Sequence, residues 1–296
     1  MTVLALDVGG STIRGVVRTA GGRVLAEQTL ATGDGDLGLA ALQRVARHLR
    51  DATFRQTGEG VRAAGVGVPE YVDQQGLLTS TDVLAWTRQP KDLLADIAPV
   101  VAVESDVRCA ARAEQHVSPG AKDFVVVSVG TGISHAVVQH GKIVRGARGE
   151  AIGLGQLPAG DPRSGLRPTI EEVASGAGLV RQYEQRSGHA VADGAREVVG
   201  LAGRGDADAL GVLHAAGEAL AYAAWVLVQV LDPTRVILTG GLGSADTPMH
   251  DQMRTAYADL TRNRPGAATI QVSALGARAG LVGAEVVARR ALEEGQ

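Results

Sequence analysis

The chain has 296 residues, 45% of them apolar, with 29 basic and 32 acidic side chains and a net charge of −3. That length fits one large domain or two lobes with ample material for a core. The balanced charge gives no reason to expect nucleic acid or a membrane surface as a partner. The single cysteine, Cys109, excludes a disulfide framework and any cysteine-cluster metal site within one chain.

Residues 2–8 and 12–18 read as two strands joined by Gly9-Gly10-Ser11, and a third strand, 23–30, follows the turn Ala20-Gly21-Gly22. Residues 36–57 have helical periodicity, with Leu39, Leu42, Val45, Ala46 and Leu49 on one face. "AAGVGVP" (63–69) and "VVAVES" (100–105) are short apolar strands ending in residues of functional type. "DFVVVSVGTG" (123–132) repeats the opening pattern, a β-branched strand running into Gly-Thr-Gly. A strand pair turns at 140–142, and helices dominate from about 169 to 230. "TRVILTGGLG" (234–243) is a third glycine-ended strand, and a last helix covers roughly 280–293.

Strands alternating with helices indicate the α/β class. The glycine-ended strands near residues 10 and 130 predict two similar lobes facing a cleft. No basic start followed by a long apolar run marks a secretory signal. The longest apolar stretch, Ala219 to Leu231, is shorter than the ~20 residues of a membrane span and carries Gln229. A cytoplasmic protein is expected.

Glycines after strands let the backbone approach a ligand closely. Successive amides in such a turn point together and hold an anion. Ser11, Thr12 and Thr131 add hydroxyl donors. One Gly-Gly turn alone is explained by an ordinary hairpin, but three strand-glycine motifs in one chain favour phosphate. Asp7 sharpens this, because a carboxylate beside a phosphate turn repels it unless a cation lies between them, and magnesium prefers those oxygens, often through water. The chain has neither a P-loop nor a dinucleotide fingerprint.

The motifs "LALDVGGSTIRGVV", "GVGVPEYVD", "VAVESDVRCAARAE", "VSVGTGI", "GKIVRGARGE", "EEVASG" and "DPTRVILTGGL" occur in the order of the ROK sugar kinases, and the chain resembles that family over nearly its whole length. The resemblance implies two ribonuclease-H-like lobes of the actin and hexokinase type around a central cleft. The expected division is a smaller lobe of 1–107 plus 278–296 and a larger one of 108–277. It also implies ATP and Mg²⁺, with Asp7, Gly9, Gly10, Ser11 and Thr12 as the first phosphate motif. Gly130, Thr131 and Gly132 match the second, and Gly240 and Gly241 the adenosine motif. Asp106 falls on the family's general base, within Glu104-Ser105-Asp106; a helix N-cap is the plainer account of the same residue. Gly67, Pro69, Ser105, Asp106, Gly153, Gln156 and Glu171 fall on the substrate side.

The departures from the family pattern are specific. Ser105 replaces the asparagine before the catalytic aspartate. In the family's Gly-Glu-x-Gly-His segment, Gly153 replaces the glutamate and Gln156 the histidine. The zinc loop is replaced by "LPAGDPRSGLRPT" (157–169), without cysteine or histidine, so no zinc site is expected. Glu171 is open to two readings, a sugar contact or a solvated first-turn carboxylate. His135 reads as a half-buried strand histidine, Trp86 as a structural aromatic, and Tyr222 and Trp225 as core.

The expected activity is therefore ATP-dependent phosphorylation of a hydroxyl on a hexose-like ring: a sugar, amino sugar or cyclitol. The alternative is a non-catalytic, ROK-like pseudo-kinase that binds a sugar or a partner. The phosphate turn begins within ten residues of Met1, so the DNA-binding arm of ROK repressors is not expected. A homodimer or homotetramer is.

Overall fold

The computed structural model describes residues 1–159, 168–264 and 266–295. Most of the 157–169 segment, expected to replace a zinc loop, therefore lies outside the described residues. The chain divides into two compact units. The first comprises Met1–Ala121, Ile143–Ile152 and Arg278–Gln296; the second comprises Lys122–Lys142 and Gly153–Ala277.

The first unit is built on a five-stranded sheet of β1 (Thr2–Val8), β2 (Thr12–Thr19), β3 (Val24–Ala31), β4 (Ala63–Val68) and β5 (Val100–Ser105), in the order β3-β2-β1-β4-β5. β1 and β2 form an antiparallel hairpin, while β4 and β5 run parallel to β1. β1 and β4 are almost wholly apolar because both their faces are covered. Helix α1 (Asp36–Thr57) buries the predicted stripe of Leu39, Leu42, Val45, Ala46 and Leu49 and ends at Gly58 in the left-handed region. That stripe packs into a core with Leu4, Leu6, Ile13, Val66 and Trp86. A short helix, α2 (Pro90–Leu93), precedes β5.

Helix α3 (Asp106–Val117) follows β5 without a loop and packs against α10 (Ala279–Glu293). This pairing carries the first unit to Ala121, beyond the boundary expected at 107. The fit is tight. A side chain at Gly283 would run into the backbone of Cys109, so glycine there lets the two helices touch.

The second unit repeats the topology. Its sheet contains β6 (Phe124–Val129), β7 (Ile133–Gln139), β8 (Lys142–Val144), β9 (Arg235–Thr239) and β10 (Thr269–Val272), in the order β10-β9-β6-β7-β8. As in the first sheet, the opening strand sits centrally, antiparallel to its hairpin partner and parallel to the next strand in. Around it lie α4 (Ile170–Ala174), α5 (Gly176–Ser187), α6 (Gly194–Gly203), α7 (Ala207–Leu231), α8 (Gly240–Gly243) and α9 (Pro248–Thr261).

Two expectations are corrected here. α7 is a 25-residue helix, longer than the apolar stretch read from the sequence, and it has the length and composition of a membrane span. Yet 61% of that window is buried inside the chain, which makes it a core helix. Tyr222 is not core: it is 43% exposed, and its ring stacks on Trp225 at 5.9 Å, itself only half-buried. The helix turns these two rings away from its Ala- and Leu-rich buried face.

Candidate active site

In the first unit, the β1–β2 turn is closed by Gly9 N–H donating to Thr12 O at 2.8 Å. Thr32, buried at the end of β3, anchors it from outside. Its hydroxyl donates to Gly9 O at 2.7 Å and its amide to Ser11 O at 3.0 Å. With the backbone fixed in this way, Gly10, Ser11 and Thr12 are exposed and available to a ligand. Asp7 lies at the end of β1 below this turn, half-buried, and has no hydrogen bond or ion pair among the described residues. Desolvation pushes its carboxyl up to about 6, against the charge of Arg14.

Asp106 is the first residue of α3. Ser105 occupies the N-cap position, so the N-cap account of Asp106 does not hold. One of its oxygens, Oδ1, accepts from Val107 N–H at 2.7 Å. Its carboxyl is pushed up to about 7, first by desolvation and then by the charge of Asp7, with the Val107 bond and Arg108 opposing and Glu70 adding to the rise. The charge of Asp7 thus acts on Asp106 and outweighs the pull of Arg108.

The loop after β4 is organised by Glu70, which the sequence did not single out. Buried at 3% exposure, it accepts from the amides of Asp82, Val83 and Leu84 and from the hydroxyl of Ser80. Gly67 is buried beside Cys109 and Asp106, and Pro69 is half-buried at the loop's start.

Ser105 is placed differently from the role its position implied. It is fully buried, and its hydroxyl accepts from Arg108 Nε at 3.0 Å. Arg108, also fully buried, pairs with Glu104 at 2.8 Å and donates to Val72 O at 2.6 Å. Arg145 closes on the other oxygen of Glu104. The only hints of this cluster in the sequence are the i,i+4 spacing of Glu104 and Arg108 and the arginine in "GKIVRGARGE".

In the second unit, the Gly130–Gly132 turn joins β6 to β7, with Gly130 N–H donating to Gly132 O at 3.0 Å. Two contacts brace it. Gly176 N–H, at the start of α5, donates to Gly130 O at 2.8 Å, and Ile133 N–H donates to Glu171 Oε2 at 2.7 Å. Glu171 is therefore not a solvated helix carboxylate; one of its oxygens holds the strand that leaves the turn. Thr131 is left exposed at the tip. Gly240 has φ +86°, and a Cβ there would lie 2.5 Å from Val129 O, so glycine is required where α8 meets the end of β6. Gly241 is exposed beside it.

Gly153 caps a single 3₁₀ turn, Leu154–Gln156, whose last residue, Gln156, is exposed. His135 is half-buried, as expected, and its Nδ1 accepts from Leu154 N–H at 3.3 Å. The strand histidine thus ties this segment to β7. The described residues hold no cluster of three or more His, Cys, Asp or Glu side chains in metal-binding arrangement.

Residues 3–291 match the family model described as ROK family. The chain is 26% identical to a glucokinase of Halalkalibacterium halodurans, over 95% of this chain and 92% of that protein. It is 30% identical to the bifunctional enzyme NanE/NanK of Brucella suis over 95% of this chain, spanning only 52% of that longer protein. The structure matches a ROK family glucokinase from Streptomyces griseus, solved in complex with glucose and AMPPNP, with a TM-score of 0.83 at 25% identity, covering 98% of this chain and 100% of that one.

Proposed function

The chain belongs to the ROK family, and from that premise we propose that it transfers the terminal phosphoryl group of ATP to a hydroxyl of a hexose-like ring. The observation that carries the reading is the Asp7–Asp106 pair, on β1 and just after β5 of one sheet, whose charges act on each other beside an anchored glycine turn. Asp106 is the general base. Its Oδ1 is occupied by Val107 N–H, which leaves Oδ2 to accept the proton of the attacking hydroxyl. A carboxyl poised at about 7 is matched to that task near neutral pH. The exposed amides and hydroxyls of Gly10, Ser11 and Thr12, and of Thr131 in the second unit, supply phosphate donors.

The residues fit a magnesium ion. Asp7 is a partly exposed carboxylate without a partner, next to a second carboxylate whose proton affinity its charge raises. Asp7 would hold the ion through water, and the ion would neutralise charge on the phosphates. Gly240 and Gly241 are assigned to the adenosine side.

The reading of the acceptor rests on Gly153 and Gln156. Glucokinases are among the relatives, but Gly153 and Gln156 stand where the family's glutamate and histidine grip sugar hydroxyls. We assign an acceptor that differs from glucose at one ring position, an amino sugar or a cyclitol. ATP as co-substrate supports a cytoplasmic location. Assembly into a homodimer or homotetramer belongs to the same proposal, and the exposed Tyr222–Trp225 stack on α7 is an apolar surface suited to it.

A coupled ADP-release assay over a panel of sugars, amino sugars and cyclitols, with and without EDTA, tests this. Magnesium-dependent ADP release with one ring class supports it. No turnover with any acceptor, while ATP still binds, would favour the pseudo-kinase.

A further inference from the structure

A cavity of about 140 Å³ opens in the first unit between β5, α3 and α10. That is roughly ten times the ~10–15 Å³ needed to hold one water. Glu104 and Arg145 form part of its wall, and Lys91, Arg112 and Arg290 supply three further cations. Arg112 is half-buried, and among the described residues its hydrogen bond is to Gln115, at 3.4 Å. Neither Arg112, Arg290 nor Lys91 has an ion pair among the described residues.

The carboxylates nearby do not balance these charges. Glu104 is taken on one oxygen by Arg108 and on the other by Arg145. Asp73 Oδ1 accepts from the amides of Gln75 and Leu77 within its own turn. Glu294 is exposed at the end of α10. Behind the wall, Arg108 is fully buried and its Nη1 has no hydrogen-bond partner. Four guanidinium groups therefore surround one buried carboxylate. The strain between them is legible at Arg112, whose proton affinity is lowered first by desolvation and then by the charge of Arg290, with Arg145 adding to it against the pull of Glu104.

We propose that this cavity binds a phosphate dianion, either free or as the phosphate group of a small ester, through Arg112, Arg290 and Lys91 beside the Glu104–Arg145 pair. Guanidinium forks match phosphate oxygens in pairs. The dianion supplies the counter-charge that the protein lacks. The cavity volume admits a phosphate group with a few carbons. The site is separate from the glycine turns, and Asp106 follows Glu104 by only two residues along the chain.

Isothermal titration of the full-length protein with inorganic phosphate, and separately with glycerol 1-phosphate, tests the site without any need for turnover. The expected result is saturable binding that weakens as sodium chloride is raised. It should fall at least tenfold in Arg290→Glu, an exposed position where folding is not at stake, and likewise in Arg112→Gln. Binding to the ester at least tenfold tighter than to inorganic phosphate identifies an ester as the source; similar binding identifies the free anion. Thr131→Val, in the second glycine turn, should leave the binding intact. Absence of binding to both probes overturns the proposal. So does binding that Arg290→Glu and Arg112→Gln leave unchanged, or that Thr131→Val abolishes.

Discussion

Asp7 and Asp106 sit at strand ends of one unit, and the charge of the first raises the proton affinity of the second. The opposing charges, Arg14 on Asp7 and Arg108 on Asp106, do not offset the desolvation of either carboxylate. An uncompensated pair of this kind is costly to hold in a fold, and it is the arrangement expected where a metal ion and a reacting hydroxyl are to be received.

Asp106→Asn should lower phosphorylation by about 10²–10⁴-fold, the range of general-base catalysis. Nucleotide affinity should be nearly unchanged, because the phosphate turns do not depend on this side chain. In the wild type, kcat/KM should rise with pH through about 7 as Asp106 loses its proton, and be level above that. A variant that turns over normally would remove Asp106 from the mechanism.

The same residue carries a stability prediction of opposite sign. Both aspartates have folded-state values raised above the ordinary 3.8, to about 6 and about 7. Their contribution to stability is therefore fully present below the unfolded value and is lost as pH rises through the folded ones. At pH 8 the charged Asp106 opposes the fold, so Asp106→Asn should melt at a higher temperature than wild type. The gap should narrow towards pH 5, where wild-type Asp106 is already neutral. Melting curves at the two pH values decide it; an equal gap at both would mean Asp106 is not strained.

Glu171→Ala should raise the KM for ATP and leave the affinity for the acceptor little changed. The substitution strands the amide of Ile133, which Glu171 holds at 2.7 Å, and so loosens the Gly130–Gly132 turn. Leaving one such donor unpaired costs about 1–3 kcal/mol. Glu171→Gln, which keeps an acceptor oxygen, should restore ATP binding. Failure of the glutamine to rescue would assign the negative charge, and not the hydrogen bond, as what matters.

The parts of this site that the sequence disclosed are local. Asp7 with its turn, and Asp106 at the β5–α3 junction, are each contained in a few consecutive residues. The supports are not: Thr32 reaches Gly9 across 23 residues, and Arg145 reaches Glu104 across 41. No periodicity encodes such distances. β10 was missed because it is a four-residue edge strand with three exposed positions, and α9 because only four of its fourteen residues are buried. Tyr222 was misjudged for a related reason. An apolar helix read without its neighbours does not reveal which side the core occupies.

Glu104→Gln should destabilise the first unit strongly, by about 3–5 kcal/mol, as when one partner of a buried ion pair is removed. Arg108, with no exposed surface, would keep its charge and lose the carboxylate it pairs with. Urea unfolding measures this; a loss below about 1 kcal/mol would show that the cluster is not structural. Ser105→Ala, which removes one acceptor from Arg108 Nε while Glu104 still holds that nitrogen, should cost less, near the ~0.5–1.5 kcal/mol of one hydrogen bond.

The acceptor prediction rests on Gly153 and Gln156. Replacing a carboxylate by hydrogen removes both an acceptor and a charge, and a mispaired hydroxyl is discriminated against strongly. Glucose should therefore be a poor acceptor, with kcat/KM lower than for the preferred ring by about 10²-fold or more. Restoration is the sharper experiment. Gly153 has φ −84°, so its backbone accepts a side chain without strain, and Gln156 is exposed. Gly153→Glu combined with Gln156→His should raise glucose turnover relative to the preferred acceptor. Neither change touches Asp7 or Asp106, so ADP release with any accepted ring should persist and report that the base is intact. A wild-type enzyme that already prefers plain glucose would overturn the acceptor assignment while leaving the kinase reading in place.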